Sequence, residues 1–425
     1  MRLLLIITMA LASCGILFAE DYSTDFEIPE EDEEKEKGLE WSGYLDSRYF
    51  VFHTDQSSPL YQLQLFGKDD LSRYWSQYKL ELYLDADYQT KDMGFHLKTY
   101  SAYYNDSDSS FDLFEAYGNV NLSLSSFIQA GKRRYNWGKG YVFNPVGYVN
   151  SYKDPENPEL AQAGLLSMSF EKIKSLDSDV LTTVTLTAII IPPDEVLNKR
   201  YAEIKDTDLA AKLYLLLLDI DFDIMSYYSR INPSRIGFDF ATNIRENIEI
   251  HGELSHFRDE SKNAIVESEL ATTKENGYSY LMGLRYLNQW RTTVIAEYYH
   301  NGIGLNEAEY GGYIDFAQSG VENSNPEKVL NYSRTYFRGA NLMRDYFYLK
   351  ITQPEPFNWL YFTPSMFTIY NLNDNSLLLA VSLSYKPFTN FEVMLWPTFI
   401  MGDEGTEFGS RQFDQRYELR MKVYY

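Results

Sequence analysis

The five histidines, His53, His96, His251, His256 and His300, are the scarcest titratable side chains of the chain. One of them sits where acid–base work is conceivable. In Glu249-Ile250-His251-Gly252-Glu253, a period of two puts Glu249, His251 and Glu253 on one face of a strand. Such a group serves as acid and base only if its surroundings split the pKa values, and an ordinary polar strand face has the same composition. The sequence holds no nucleophile elbow, no H-E-x-x-H, no phosphate-cradling glycine loop and no Cys/His metal cluster. The chain therefore reads as a non-enzyme with no metal and no cofactor.

A second group can guide a solute instead of reacting with it. Residues 131–159 read G-K-R-R-Y-N-W-G-K-G-Y-V-F-N-P-V-G-Y-V-N-S-Y-K-D-P-E-N-P-E. The glycines permit sharp backbone turns, and Trp137, Tyr141 and Phe143 give the segment apolar anchors. A loop over 136–162 that carries its own anchors can fold back and narrow a channel, with Arg133, Arg134, Trp137, Lys139 and Asn144 beside the path. The alternative is an outer loop packed on a rim, with Trp137 in an interfacial aromatic belt. A third group is a set of cations near the end of the chain and around one hairpin: Arg285, Arg291, Arg416, Arg420 and Lys422, with Glu297 among them. If they face a lumen they form a ladder for anions; if the neighbouring acids pair with them, they form a wetted wall of small net effect.

The elements that must position these residues are strands. From Phe413 to the terminus, Phe413, Tyr417, Leu419, Met421, Val423 and Tyr425 alternate with Asp414, Arg416, Glu418, Arg420, Lys422 and Tyr424, a period of two. Eighteen such segments recur, near 40–53, 73–88, 92–104, 111–122, 125–135, 163–172, 179–191, 207–217 and 220–230 in the first half. The second half has 235–243, 247–257, 278–286, 290–300, 344–352, 357–370, 375–385, 389–401 and 413–425. Sixteen strands would also fit. Short connections alternate with long ones at 54–72, 136–162, 192–206, 258–277, 301–343 and 402–412. This is the pattern of an all-β, antiparallel transmembrane barrel, with short periplasmic turns and long outer loops. Every backbone group must pair where there is no water, and a closed barrel achieves that. An even strand count brings both ends of the barrel to the periplasmic side.

Composition agrees. Aromatics make up 16%, with 37 Tyr, 26 Phe and 6 Trp, while mean hydropathy is only −0.38. A barrel reconciles the two, because only alternate residues face lipid and aromatic girdles line its two ends. The formal charge of −23 argues against nucleic acid as a partner. Residues 1–19 read as a signal peptide cut after Ala19. Leu-Ala-Ser-Cys14 also resembles a lipoprotein cleavage box, although the apolar Gly-Ile-Leu-Phe after Cys14 favours ordinary cleavage. Residues 20–38 read as an acidic, disordered periplasmic tail, too short for a plug domain, and 39–425 as the barrel.

The pattern G-K-R-R-x-N-W-G-K-G-Y-x-F-N-P, followed by K-D-P-E-x-P-E, resembles a motif of Gram-negative outer-membrane barrels loosely related to alginate-export and other porin-like families. Glu297-Tyr298-Tyr299-His300-Asn301-Gly302 and the stretch 402–409 are similar to segments of the same group. The resemblance implies a barrel with a pore in the outer membrane of a diderm bacterium. The expected function is a porin for passive or substrate-selective diffusion of small hydrophilic or anionic solutes. The alternative is a barrel filled by its loops, offering 258–277 and 301–343 as an interaction or adhesion surface. Expected partners are outer-membrane lipid and lipopolysaccharide, a small solute, and the barrel-assembly machinery through 413–425.

Overall fold

The computed structural model describes residues 38–64, 72–105, 107–151, 153–198, 203–323, 325–337 and 341–425. The signal peptide expected at 1–19, and all but the last residue of the acidic tail at 20–38, lie outside these. The first nine strands are β1 (Glu40–Thr54), β2 (Tyr74–Gln89), β3 (Met93–Tyr104), β4 (Ser110–Ser123), β5 (Ser126–Arg133), β6 (Leu165–Ser175), β7 (Leu181–Ile191), β8 (Asp208–Leu217) and β9 (Ile220–Tyr228). The rest are β10 (Ser234–Arg245), β11 (Ile248–Val266), β12 (Glu269–Leu287), β13 (Thr293–His300), β14 (Asp345–Thr352), β15 (Phe362–Asn371), β16 (Leu377–Phe388), β17 (Phe391–Met401) and β18 (Phe413–Tyr424). Each pairs antiparallel with its sequence neighbours, and β1 closes on β18 from Tyr44↔Tyr424 to Thr54↔Phe413. The count is eighteen, and closure leaves no sheet edge to satisfy.

The period of two decides which side chains turn inward. On β18, Tyr417, Leu419 and Met421 point out and are exposed, while Glu418 and Arg420 point in and are buried. Outward aromatics gather at the strand ends: Trp41, Tyr88 and Phe95 at one rim, Tyr74, Tyr103 and Phe111 at the other. These are the girdles expected where a barrel meets the two membrane interfaces. Tight turns carry the backbone they require. Leu218-Asp219 joins β8 to β9 with φ of 52° and 60°, the left-handed pair of a two-residue hairpin.

One expectation is corrected. The stretch 258–277 is not a loop. β11 and β12 continue through it to a two-residue turn at Glu267-Ser268, so each strand is 19 residues long. A bulge at Phe257/Glu260, with Asp259 at φ 55°, marks where the hairpin leaves the barrel wall. Polarity misled the sequence reading there: Lys, Glu, Thr and Asn on both faces resemble a loop because the extension has no lipid to face. The lumen wall is partly apolar. Inward Tyr346, Tyr348, Phe367, Ile369, Leu378 and Ala380 form an apolar core with Val142, Phe143 and Phe408 from two loops.

The long outer connections carry helices α1 (Pro59–Gln64), α2 (Glu307–Glu322) and α3 (Pro326–Tyr336). Asn306 caps α2, accepting from the Glu309 N–H at 2.9 Å while the Glu309 carboxylate accepts from the Asn306 N–H at 2.8 Å. Leu63 of α1, Tyr313 and Phe316 of α2, Val329 of α3 and Ile265 of the hairpin share one buried cluster. The three helices and the hairpin tip thus form a roof over part of the outer mouth.

Candidate pore constriction

The connection from β5 to β6, residues 134–164, turns inward instead of lying on the rim. Its glycines show why. Gly138 has φ +94°, and a Cβ there would lie 2.7 Å from both the Glu253 carboxylate and the Asn144 amide. A left-handed backbone in close contact with a carboxylate leaves room only for glycine. Glu253, projecting inward from β11, gathers the segment around itself. Its Oε1 accepts the Lys139 and Gly140 N–H groups at 2.7 Å each and the Asn144 side-chain amide at 3.1 Å. Its Oε2 accepts the Val146 N–H at 3.2 Å. Glu297 on β13 takes the next two amides, Tyr141 and Val142, and is itself 3.2 Å from His251 Nε2. The W-G-K-G-Y-x-F-N-P pattern is therefore a cradle of backbone donors closed around two carboxylates of the barrel wall.

Other tethers carry the loop across the lumen. Lys139 Nζ pairs with Asp223 on β9 at 3.0 Å and approaches Asp239 on β10 at 3.9 Å. Burial lowers the Lys139 pKa, but these two carboxylates outweigh it and leave it raised. Lys350 on β14 reaches Glu159 at 3.1 Å. Glu156 lies between Arg411, at 2.7 Å, and Arg416 on β18, at 3.0 Å. Burial raises the Glu156 pKa; the two guanidiniums overcome that and hold it low. Trp137 is buried against Val146, Val149, Ile189 and Met225, and its main chain is clasped by Asn150 on both sides, at 2.8 and 2.7 Å. It is an inward anchor of the loop rather than a girdle residue.

The loop narrows the lumen without filling it. A cavity of about 780 Å³ runs along the motif, lined by Arg134, Trp137, Lys153, Glu249, His251, Arg285 and Tyr299 among others. A second, of about 440 Å³, lies between residues 156–161 and the walls of β14–β18 and β1.

The fold is that of solved outer-membrane porins. A BenF-like porin from Pseudomonas fluorescens Pf-5 superposes with a TM-score of 0.55 at 8% identity, over 91% of this chain and 98% of that one. Acinetobacter baumannii OccAB1 gives 0.55 at 10%, over 93% and 99%. Pseudomonas aeruginosa OccK5 (OpdH) gives 0.54 at 8%, over 90% and 97%. At such identities the likeness is one of fold. No family model and no curated protein matches the chain.

Within this porin-like barrel the sequence-derived site residues separate. Arg133 lies 4.6 Å over the Tyr135 ring and donates to Ser169 at 3.1 Å, while the Arg134 backbone donates to Glu115 at 2.9 Å. Arg285 faces the larger cavity and Lys422 the smaller. Arg420 is locked on Asp46 at 2.8 Å, and Arg48 bridges Asp46 at 3.0 Å and Glu81 at 2.8 Å. Arg291 is corrected: it sits in the β12–β13 turn at φ 65°, 75% exposed, 3.4 Å from Glu355. It belongs to no lumen ladder, because strand β13 starts at Thr293, three residues later than the alternation suggested. Sequence reasoning missed Asp223, Lys350 and Glu156 as tethers. Their only signal was a charge on an inward face or beside a proline, and many residues share that.

Proposed function

We propose that this chain is a channel of the outer membrane of a Gram-negative bacterium, passing small hydrophilic solutes by diffusion. The observation that carries this is the loop 134–164, which crosses the lumen and leaves cavities of about 780 and 440 Å³ on its flanks. A pore narrowed partway along by an anchored segment selects by width and by the groups at the narrowing. Lys139, Lys350 and Arg420 are paired with carboxylates, while Arg134, Lys153, Arg285 and Lys422 beside the cavities have no carboxylate partner among the described residues, so a weak preference for anions is expected. The outward apolar face and aromatic ends support residence in a bilayer. Lipopolysaccharide around the outer loops, and recognition of 413–425 by the barrel-assembly machinery, would follow from that residence. Kinship with alginate exporters remains a narrower hypothesis, supported by the motif alone. Catalysis is not proposed, since Glu253 is occupied by four donors of the loop.

The test is single-channel recording of the refolded chain in a planar bilayer. Stable conductance steps are expected. A folded, heat-modifiable barrel that carries no current would refute the channel. It would favour the second reading, a loop-filled interaction protein, which the helical roof and the apolar half of the lumen support.

A further inference from the structure

We propose that the smaller cavity is a binding subsite for a neutral pyranose sugar on the solute path, an inference that rests on the channel reading above. The first observation is Trp396. It is 8% exposed, lines the cavity, and its indole N–H finds no acceptor among the described residues. A buried indole N–H ordinarily has a partner, so this donor awaits one from the cavity. The second is a set of hydroxyls. Thr352, Thr363, Ser365 and Ser382 line the same space and make no side-chain hydrogen bond among the described residues.

Apart from Lys422, the charges around them are already satisfied. Lys350 has Glu159 at 3.1 Å, Arg420 has Asp46 at 2.8 Å, and Glu156 has Arg416 at 3.0 Å. Glu392 accepts from Ser384 at 2.5 Å and from the Tyr424 hydroxyl at 3.0 Å. Beside Lys422, what remains open is neutral and of both polarities: hydroxyls that donate and accept, and one N–H. An apolar face accompanies them. Tyr44 and Tyr424 stand on the wall with ring centroids 5.7 Å apart, and Tyr44 is backed by Tyr83 at 4.4 Å. A pyranose has this same division, with C–H bonds on its flat faces and hydroxyls around its rim. The volume of about 440 Å³ falls in the roughly 300–1,000 Å³ range of small-molecule sites. Lys422 is the one cation facing the cavity without a carboxylate partner among the described residues, and its Nζ sits 5.3 Å from the Tyr44 ring centroid. An anion site would have to rest on it alone.

The experiment is current block in planar bilayers with maltose and with acetate, paired with titration calorimetry of the detergent-solubilised full-length protein. Saturable block by maltose is expected. Trp396→Phe, and separately Ser365→Ala with Ser382→Ala, should raise the half-blocking concentration and the calorimetric Kd together, by roughly five- to tenfold for each lost hydrogen bond. Thr272→Ala, on the outer hairpin, should change neither. A conducting channel that shows no saturable maltose block overturns the subsite and leaves the channel standing. Block by acetate but not maltose, lost in Lys422→Gln, overturns it in favour of an anion site. Calorimetric maltose binding without conductance would support the subsite and refute the channel; neither binding nor conductance refutes both.

Discussion

Replacing Glu253 with alanine should release the constriction. The carboxylate accepts three backbone N–H groups and one side-chain amide, and it is only 3% exposed. Its loss leaves four donors without an acceptor, each at a cost of about 1–3 kcal/mol if no water reaches it. Water from the adjacent 780 Å³ cavity can reach some of them, so the docked loop should lose about 3 kcal/mol, roughly a 150-fold shift towards undocked conformations. Glu297 and Lys139 still hold the segment, so fluctuation rather than full release is expected. Glu253→Gln should lie between. Three of the four donors converge on Oε1, and the amide oxygen can stay there, losing mainly the Val146 bond. Single-channel recording with polyethylene glycols of graded size measures the result: larger and noisier conductance and a higher exclusion limit, in the order Ala, then Gln, then the native residue. A folded Glu253→Ala barrel with native conductance and native exclusion limit would refute the anchoring role.

Three further outcomes follow from the same contacts. Lys139→Ala leaves Asp223 and Asp239, 2% and 0% exposed, facing each other with Lys212 at 3.5 Å as the remaining cation. Unfolding in guanidinium should show a loss of about 2–3 kcal/mol, partly restored by adding Asp239→Asn. Gly138→Ala forces a side chain into φ +94° and against Glu253, so it should undock the loop as Glu253→Ala does, with about 1–3 kcal/mol of strain; native pore size would count against the cradle. Glu407, in the connection before β18, is raised by burial from 4.5 to about 7. It accepts from the Leu342 N–H at 2.5 Å, the Tyr346 hydroxyl at 2.6 Å and the Asn371 amide at 2.8 Å. Because the folded state binds this proton more tightly than the unfolded one, its contribution is fully present below pH 4.5 and is lost as pH rises towards 7, about 3 kcal/mol in all. Protection factors of the amides around residues 341–346, referred to the base-catalysed intrinsic rate at each pH, should therefore be lower at pH 8 than at pH 5, and Glu407→Gln should flatten the dependence. Equal protection factors at both pH values would remove Glu407 as the cause.

Much of this protein was decided by the sequence alone. A period of two over eighteen segments, with short and long connections in alternation, is enough for a closed antiparallel barrel, because the membrane admits no other use of such strands. The same period placed Arg285, Glu297, Arg416, Arg420 and Lys422 on the inward face, and the glycines and aromatics of 131–159 singled out a segment with two outcomes, entry into the lumen or packing on the rim. Alternation says which face a residue takes, but not what meets it there. Glu253 is 114 residues from Lys139, and Glu297 is 156 from Tyr141. Those pairings depend on which strands curve opposite one another, which appears only once the sheet has closed. The same holds for Arg420, whose partner Asp46 lies 374 residues away across the closing seam. The hairpin at 258–277 was invisible for a different reason. Outside the bilayer a strand needs no apolar face, so its sequence carries no period to read. The roof joined helices from separate connections, and their apolar side chains had no partner until the barrel brought those connections to one mouth. The wall and its faces follow from alternation along the chain; tertiary closure decided what the wall encloses.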